Sequence, residues 1–493
     1  MLSLLNVSMG QILFSSVGAW FIFAIFRALH NLYLHPLAKF PGPILRCAFH
    51  MPYQFETWTG NHVGNWHDLH RRYGEIVRVS PTQLSIINAD AWKDIYGYGS
   101  RQPMQKCPDF YYQEAQFPYA ITTAPDEVHT RMRRALNPAF SEQALRAQEG
   151  MIISYISLLI SKLNSHAASG NAVDIMKYLN FTTFDITGDL TFDESFGSLE
   201  SENYDSWIAI IFDWIRFGAY LRVLTFYGFP IQTFFKIIPA LRQGLDTHRN
   251  YTGDKMERRL NKKTDRKDFL SYISKDSDER TITRDEMKET SGLLILAGSE
   301  TSATLLSGAI YYLLKNPSWL KKLEHELRTA FANETEITFA STAQLKILNA
   351  VIQETFRLYP PVPGALPRVT PKGGALVAGT FIPGDITIGI PQYPASRSSH
   401  NFTDPDKYAP ERFLGDDRYA SDKRQVIQPF STGPRNCIGQ SLAWAEMRTI
   451  LGRLVWNFEF QMLDTSKDWE KQQRVFVLWS KPSLMVRLRA REA

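Results

Sequence analysis

The sequence predicts a mostly α-helical fold with small β-sheets, an α+β arrangement, behind a single N-terminal transmembrane helix. Three observations carry that expectation. An apolar helical pattern runs unbroken over residues 283–316 until Pro317 ends it, roughly 50 Å at 1.5 Å per residue. A second helical pattern, 440–455, follows directly on a loop that holds one cysteine among glycines. Strand-like runs are short and interrupted by proline and glycine, as between residues 360 and 390.

The chain has 493 residues, enough for several average domains or one large enzyme domain. Its 44% hydrophobic and 21% charged residues are ordinary for a globular protein. A net charge of +5 without a long basic run argues against a nucleic-acid partner. Three cysteines, Cys47, Cys107 and Cys437, cannot build a disulfide framework and point to a reducing compartment. No C-x-x-C or Cys/His cluster suggests zinc.

At the N-terminus, residues 7–26 are nearly uncharged and mostly apolar, ending in Trp20-Phe21-Ile22-Phe23-Ala24-Ile25-Phe26. About twenty such residues span a bilayer as a helix. Arg27, Lys39 and Arg46 follow the span and no basic residue precedes it, which places the remainder in the cytoplasm. A cleaved signal peptide would need a basic region before the run and a small-residue site after it, and neither is present. The expected division is an anchor over 1–28, a proline-rich hinge over 29–45 and one catalytic domain over 46–493.

Along the body, 75–80 and 83–87 alternate apolar residues around Pro81-Thr82 and predict a hairpin. Residues 99–125 form a long irregular stretch rich in Phe110, Tyr111, Tyr112, Phe117 and Tyr119, either a functional loop or a tethered surface loop. A helix starts near Asp126 and puts His129 and Arg133 on one face. Its Arg131 and Arg134 point elsewhere, into solvent or a docking face. The aromatic segment 214–240 predicts one face in the core and a tip near 226–235 at a membrane interface. Inside the long helix, Ala297-Gly298-Ser299-Glu300-Thr301-Ser302 places an acid and hydroxyls where burial of a carboxylate costs several kcal/mol. Gly298 and the hydroxyls predict a local opening of that helix. Glu354 and Arg357, three apart on a helix, can pair. Tyr408-Ala409-Pro410-Glu411-Arg412-Phe413 supplies a second arginine, and runs at 458–462, 475–479 and 484–489 predict closing strands.

The cysteine loop reads Phe430-Ser431-Thr432-Gly433-Pro434-Arg435-Asn436-Cys437-Ile438-Gly439. A cysteine before a helix N-terminus has its thiolate favoured by free N–H groups and the helix dipole. Such a thiolate suits haem iron, on which it favours O–O cleavage. Gly433 permits a tight turn, Gly439 a close approach to a flat macrocycle, and Arg435 a bond to a propionate. Phe430 would keep the sulfur dry.

The loop resembles the haem-binding signature F-x-x-G-x-R-x-C-x-G of the cytochromes P-450, with each fixed position matched. The remaining motifs are similar to that family's in the same order, and the wording resembles filamentous-fungal enzymes of secondary metabolism. The resemblance implies heme b (iron protoporphyrin IX) on the Cys437 thiolate, with Arg133, His129 and Arg368 near its propionates. The family commonly has tryptophan where His129 stands, so Arg133 carries over better. The resemblance further implies that Thr301 steers protons to dioxygen and that Glu300 feeds the relay. Glu354, Arg357 and Arg412 would form a structural network behind the haem. Val362, Ala365 and Leu366 would line the pocket that the 99–125 loop covers. The implied activity is a monooxygenase of the endoplasmic reticulum membrane that uses O2 to hydroxylate or otherwise oxidise a lipophilic small molecule, a terpenoid or polyketide intermediate of fungal secondary metabolism. No G-x-G-x-x-G or P-loop appears, so electrons would come from a separate NADPH-cytochrome reductase. A reductase-independent haem-thiolate isomerase or dehydratase, and a membrane-tethered haem sensor, are the rival readings. Glu300-Thr301 argues against both.

Overall fold

Met9–Leu29 forms α1, an apolar helix with no buried residue, which a π-helical turn, His30–Leu34, continues. The computed structural model describes residues 9–98, 103–111, 118–230, 236–264, 266–275 and 282–491. Asn6, Tyr112, Phe117, Phe234 and Phe235 lie outside them. The continuous helix of 26 residues is long enough to cross a bilayer. His35, held extended before Pro36 with ψ 142°, ends it. The hinge expected from residue 29 therefore begins only after Leu34. Asn31 Nδ2 donates to Ala48 O at 2.8 Å, and Arg78 Nη1 donates to Asn31 O at 2.8 Å, so the junction is tied to the body.

The helices that position the site are α2 (Met51–Thr59), α3 (Asp126–Leu136), α4 (Glu142–Ser169), α5 (Ile175–Phe192), α6 (Ser206–Phe226), α7 (Arg284–Lys315), α8 (Lys346–Leu358) and α9 (Gln440–Asn457). The strands are β1 (Ile76–Ser80), β2 (Gln83–Ile86), β3 (Gln105–Lys106), β4 (Ala172–Asp174), β5 (Arg368–Val369), β6 (Ala375–Val377), β7 (Thr380–Ile382), β8 (Thr387–Gly389), β9 (Phe458–Met462), β10 (Arg474–Phe476), β11 (Leu478–Ser480) and β12 (Met485–Ala490). One sheet has the order β1-β2-β8-β5-β3, parallel only between β2 and β8. A second joins β4, β12 and β9, so the C-terminal strand closes over the helical core. The chain is thus mostly helical with small sheets, as expected.

The run 475–479 is not one strand. Val477 adopts φ 89°, which reverses the chain between β10 and β11 into a tight hairpin. A positive φ at a β-branched residue leaves no trace in an apolar pattern.

The long helix α7 starts at a capping box: Thr283 Oγ1 accepts from Glu286 N, and Glu286 Oε2 accepts from Thr283 N. Glu286 also takes two bonds from Arg131, at 2.9 and 2.6 Å. Arg131 is therefore a partly exposed clamp on α7, whereas Arg134 is exposed. By length and hydropathy α7 could cross a membrane, but 72% of its apolar window is buried, as befits a core helix. In α6, Ala219 and Val223 are buried, while Tyr227 and Phe229 just beyond it are exposed.

Candidate active site

Gly433 sets the shape of the cysteine loop. It adopts φ 76°, and a Cβ there would fall 1.8 Å from Tyr96 O, so only glycine fits. Pro434 lies in the first turn of the 3₁₀ segment Gly433–Arg435, and Cys437 N then donates to Phe430 O at 2.8 Å. The loop is a closed ring that presents Cys437 just before α9. Phe430 meets Phe356 of α8 edge-on at 5.3 Å, so the sulfur has an aromatic neighbour on its flank. Cys437 is exposed to the cavity described next, yet the protein around it pushes its thiol pKa up. The Gly439 N–H and the charge of Arg133 act the other way.

The cavity has a volume of about 260 Å³ and is mostly apolar. Cys437 and Gly439 form one wall, and Ala297, Gly298 and Thr301 of α7 form another. Helix α7 runs through this point without the predicted opening. Thr301 Oγ1 donates to Ala297 O at 2.7 Å, and Gly298 serves close packing, since a Cβ would lie 3.1 Å from Thr187 on α5.

Glu300 does not share this wall. Neighbours on a helix point about 100° apart, and its buried carboxylate faces Lys481, with which it forms an ion pair, and Thr304. Lys481 Nζ also reaches Thr304 Oγ1 at 2.7 Å. The burial that made Glu300 look functional is offset by Lys481, a residue 181 positions away. The expected relay from Glu300 to Thr301 is not formed in this arrangement. A different acid lines the cavity: Glu446 of α9, which accepts from Ser302 Oγ at 3.3 Å. Burial pushes Glu446 up to about 8, so it is largely a neutral acid at pH 7.

At one rim, cations outnumber anions. Arg435 pairs with Asp126 at 2.5 Å and donates to Ala124 O at 2.8 Å, while its buried Nη1 has no partner. Arg368, buried on β5, leaves Nε without a partner. Burial first, then Arg435 and Arg368, pull Lys106 down to about 7. Burial, Arg435, Lys106 and Arg133 hold His129 down at about 3, so its ring is neutral. Arg133 is committed elsewhere than expected: it bonds Asn436 O at 2.6 Å, Asn436 Oδ1 at 3.0 Å and Asn137 Oδ1 at 2.8 Å. It thereby steadies the residue before Cys437.

The family model for cytochrome P450 matches residues 40–487. The chain belongs to the cytochrome P450 family. Among its relatives, the cytochrome P450 monooxygenase astJ of Aspergillus oryzae is 41% identical over 96% of this chain and 95% of that protein. The monooxygenase aclL of the same organism is 41% identical over 95% and 96%. The monooxygenase astA of Talaromyces wortmannii is 41% identical over 94% of each.

A cytochrome P450 carries haem on a cysteine thiolate, and the residues here fit that group. A free thiol faces an apolar cavity, and a Cβ on Gly439 would have only Phe140 within 4 Å, at 3.9 Å, leaving open space beside the cysteine loop for a flat macrocycle. The unpartnered Nη1 of Arg435, on the cavity lining, is a donor that a propionate would require, and Arg368, close enough to act on Arg435 electrostatically, has a second unpartnered nitrogen. Val362 and Leu366 line the cavity as expected. Ala365 does not: it packs with Trp66, Val77 and Val79.

Behind the cavity lies the carboxylate–arginine network of the cytochrome P450. Arg357 Nε and Nη2 donate to Glu354 at 2.7 and 2.8 Å, with further bonds to Ser396 O and Lys407 O at 2.8 Å. Arg412 reaches Glu354 at 3.4 Å and pairs with Asp422 at 2.6 Å. All four side chains are fully buried. Asp422 was not singled out from the sequence, and no motif marks it. Lys106 and Lys481 were equally silent. Glu446 did leave a signal, as the one acid in helix α9.

Proposed function

We propose that this cytochrome P450 oxidises a lipophilic small molecule, a terpenoid or polyketide intermediate of fungal secondary metabolism, using electrons from a separate NADPH-dependent reductase. The observation that carries the reading is one apolar cavity walled by the Cys437 loop and by the Thr301 face of α7. Cys437 would be the axial ligand, and Arg435 and Arg368 the propionate partners. Bound there, haem supplies the redox chemistry by which O2, a pair of electrons and two protons yield an oxygenated product and water. The apolar walls hold the substrate and exclude water. NADPH oxidation by added reductase that rises with substrate supports this reading over an isomerase or a sensor. Activity without reductase or O2 would overturn it.

Thr301 holds a proton at Oγ1 on the cavity wall. Thr301→Ala should retain haem and keep consuming NADPH, while product per NADPH falls on the order of tenfold or more and hydrogen peroxide appears. Thr301→Ser should keep most of the coupling, because the hydroxyl survives. Product, peroxide and NADPH measured in one reaction decide it. Unchanged coupling in Thr301→Ala would make the threonine a packing residue only.

We further propose an anchor in the endoplasmic reticulum through α1, with the body in the cytoplasm. Exposed Ile44, Leu45, Met51, Phe55, Ile237 and Phe229 follow the anchor or lie beyond α6, and support seating on the same membrane. Asn-x-Ser/Thr sequons occur at Asn6, Asn180, Asn250, Asn333 and Asn401, and only Asn6 precedes the span. Glycan is therefore expected at Asn6 alone. A glycan on Asn250 or Asn401 in cells would reverse the topology.

A further inference from the structure

Arg222 of α6 stands between two cavities, and among the described residues no carboxylate is paired with it. One cavity, of about 350 Å³, is bounded by Ile215 and Ala219 of α6, Leu296 of α7, and Val477 and Leu478 of the β10–β11 hairpin. The other lies toward α2, with Tyr53, Gln83 and Cys107 on its walls. Arg222 and Phe110 belong to both. The guanidinium lies 4.6 Å from the Phe110 ring centroid, a cation–π contact that leaves its N–H groups free for another acceptor.

A guanidinium keeps its charge under any ordinary condition, and Arg222 is half-buried, so water is only partly withdrawn from that charge and a ligand's anion would replace what is lost. Burial lowers the pKa of Arg222. The groups acting against that are Tyr53, Tyr111 and Cys107, all uncharged at neutral pH. His62 nearby is held down at about 3, by burial and then by Arg222 and Arg46, so it brings no charge. Asp109 lies on the wall of the second cavity but is exposed. Among the described residues, no carboxylate forms an ion pair with Arg222.

We infer that Arg222 anchors the carboxylate of the substrate, so that this enzyme acts on lipophilic carboxylic acids. The inference rests on the monooxygenase reading and narrows its substrate class. Two parallel N–H groups of the fork match a carboxylate bidentately, which gives orientation as well as affinity. The apolar body of the acid then lies along Ile215, Ala219 and Leu478 beside Leu296. Leu296 and Thr301 are five residues apart on α7, about 7.5 Å along its axis. Leu296 of this cavity adjoins Ala297, which lines the Thr301–Cys437 cavity, so the oxidised bond is expected at the end of the molecule remote from the acid group.

The test uses the full-length holoenzyme and matched pairs: dodecanoic, abietic and naphthalene-2-carboxylic acids, each with its methyl ester. Binding is read from the shift of the haem absorption band, with haem content checked for every variant. At least one acid should bind about tenfold or more tighter than its ester, the usual discrimination of a charge-assisted bond. In Arg222→Gln that preference should fall below about threefold, with ester affinity held, and Arg222→Lys should restore part of it. Esters binding as well as all three acids, or an acid preference that survives Arg222→Gln, would overturn the inference. So would the absence of a shift with every acid. The thiolate band of the reduced, CO-bound preparation separates the two failures. If it is present while acids are not preferred, only the carboxylate anchor is lost. If it is absent, the monooxygenase reading itself fails.

Discussion

Cys437→Ser is expected to remove the thiolate absorption band of the reduced, CO-bound protein and to take oxygenation to background. Serine is close to cysteine in volume, and the backbone bond from residue 437 to Phe430 O at 2.8 Å survives the change. The loop therefore keeps its shape, and the loss reports the sulfur. In the ligand-free chain burial pushes the thiol up, opposed by the Gly439 N–H and Arg133. A coordinated metal cation reverses that balance, because it deprotonates a bound thiol outright. An alcohol is a far weaker acid and a harder ligand. Cys47→Ser and Cys107→Ser are the controls. Their sulfurs are buried beside Arg78 O and Thr387 Oγ1, outside the cavity, and both variants should keep the band. Retention of the band in Cys437→Ser would remove Cys437 from the iron.

The cysteine loop was legible because its determinants are contiguous. Gly433, Pro434 and the ring closed onto Phe430 lie within eight residues, so local backbone chemistry specifies them. Glu354 and Arg357 were legible for a similar reason, since three residues on a helix bring side chains together whatever surrounds them. Glu300 marks where this reasoning stops. Its position beside Thr301 was visible, but adjacency in sequence turns the two side chains to different faces. Which face meets Lys481 depends on a hairpin from the far end of the chain. Arg133 was found, but its bonds to Asn436 O and Oδ1 were not visible in the sequence, because they join it to a loop 303 residues away. Asp422 had no signal because an acid in a polar loop looks the same whether it is solvated or sealed under Arg412. Pattern reports which side of an element is apolar. It does not report what that side touches.

Arg357→Ala is expected to yield little haem-containing protein. Arg357, Glu354 and Arg412 are all fully sealed from solvent, so water cannot replace the missing guanidinium. The substitution leaves Glu354 with Ala409 N at 2.7 Å and Arg412 at 3.4 Å, and strips Ser396 O and Lys407 O of their donor. Removing one member of a buried pair costs about 3–5 kcal/mol, and each orphaned carbonyl adds about 1–3 kcal/mol. That approaches the about 5–15 kcal/mol that stabilises a whole domain. Because the network ties α8 to the segment leading into the cysteine loop, the haem cradle should be lost with it. Arg357→Lys can keep one of these bonds and should fall between. Arg418→Ala is the comparison, since that exposed arginine pairs with Asp416 in solvent and should change little. Haem absorbance per protein and thermal unfolding, measured on all three variants, provide the check. Wild-type haem content and melting in Arg357→Ala would show that the network does not hold the fold.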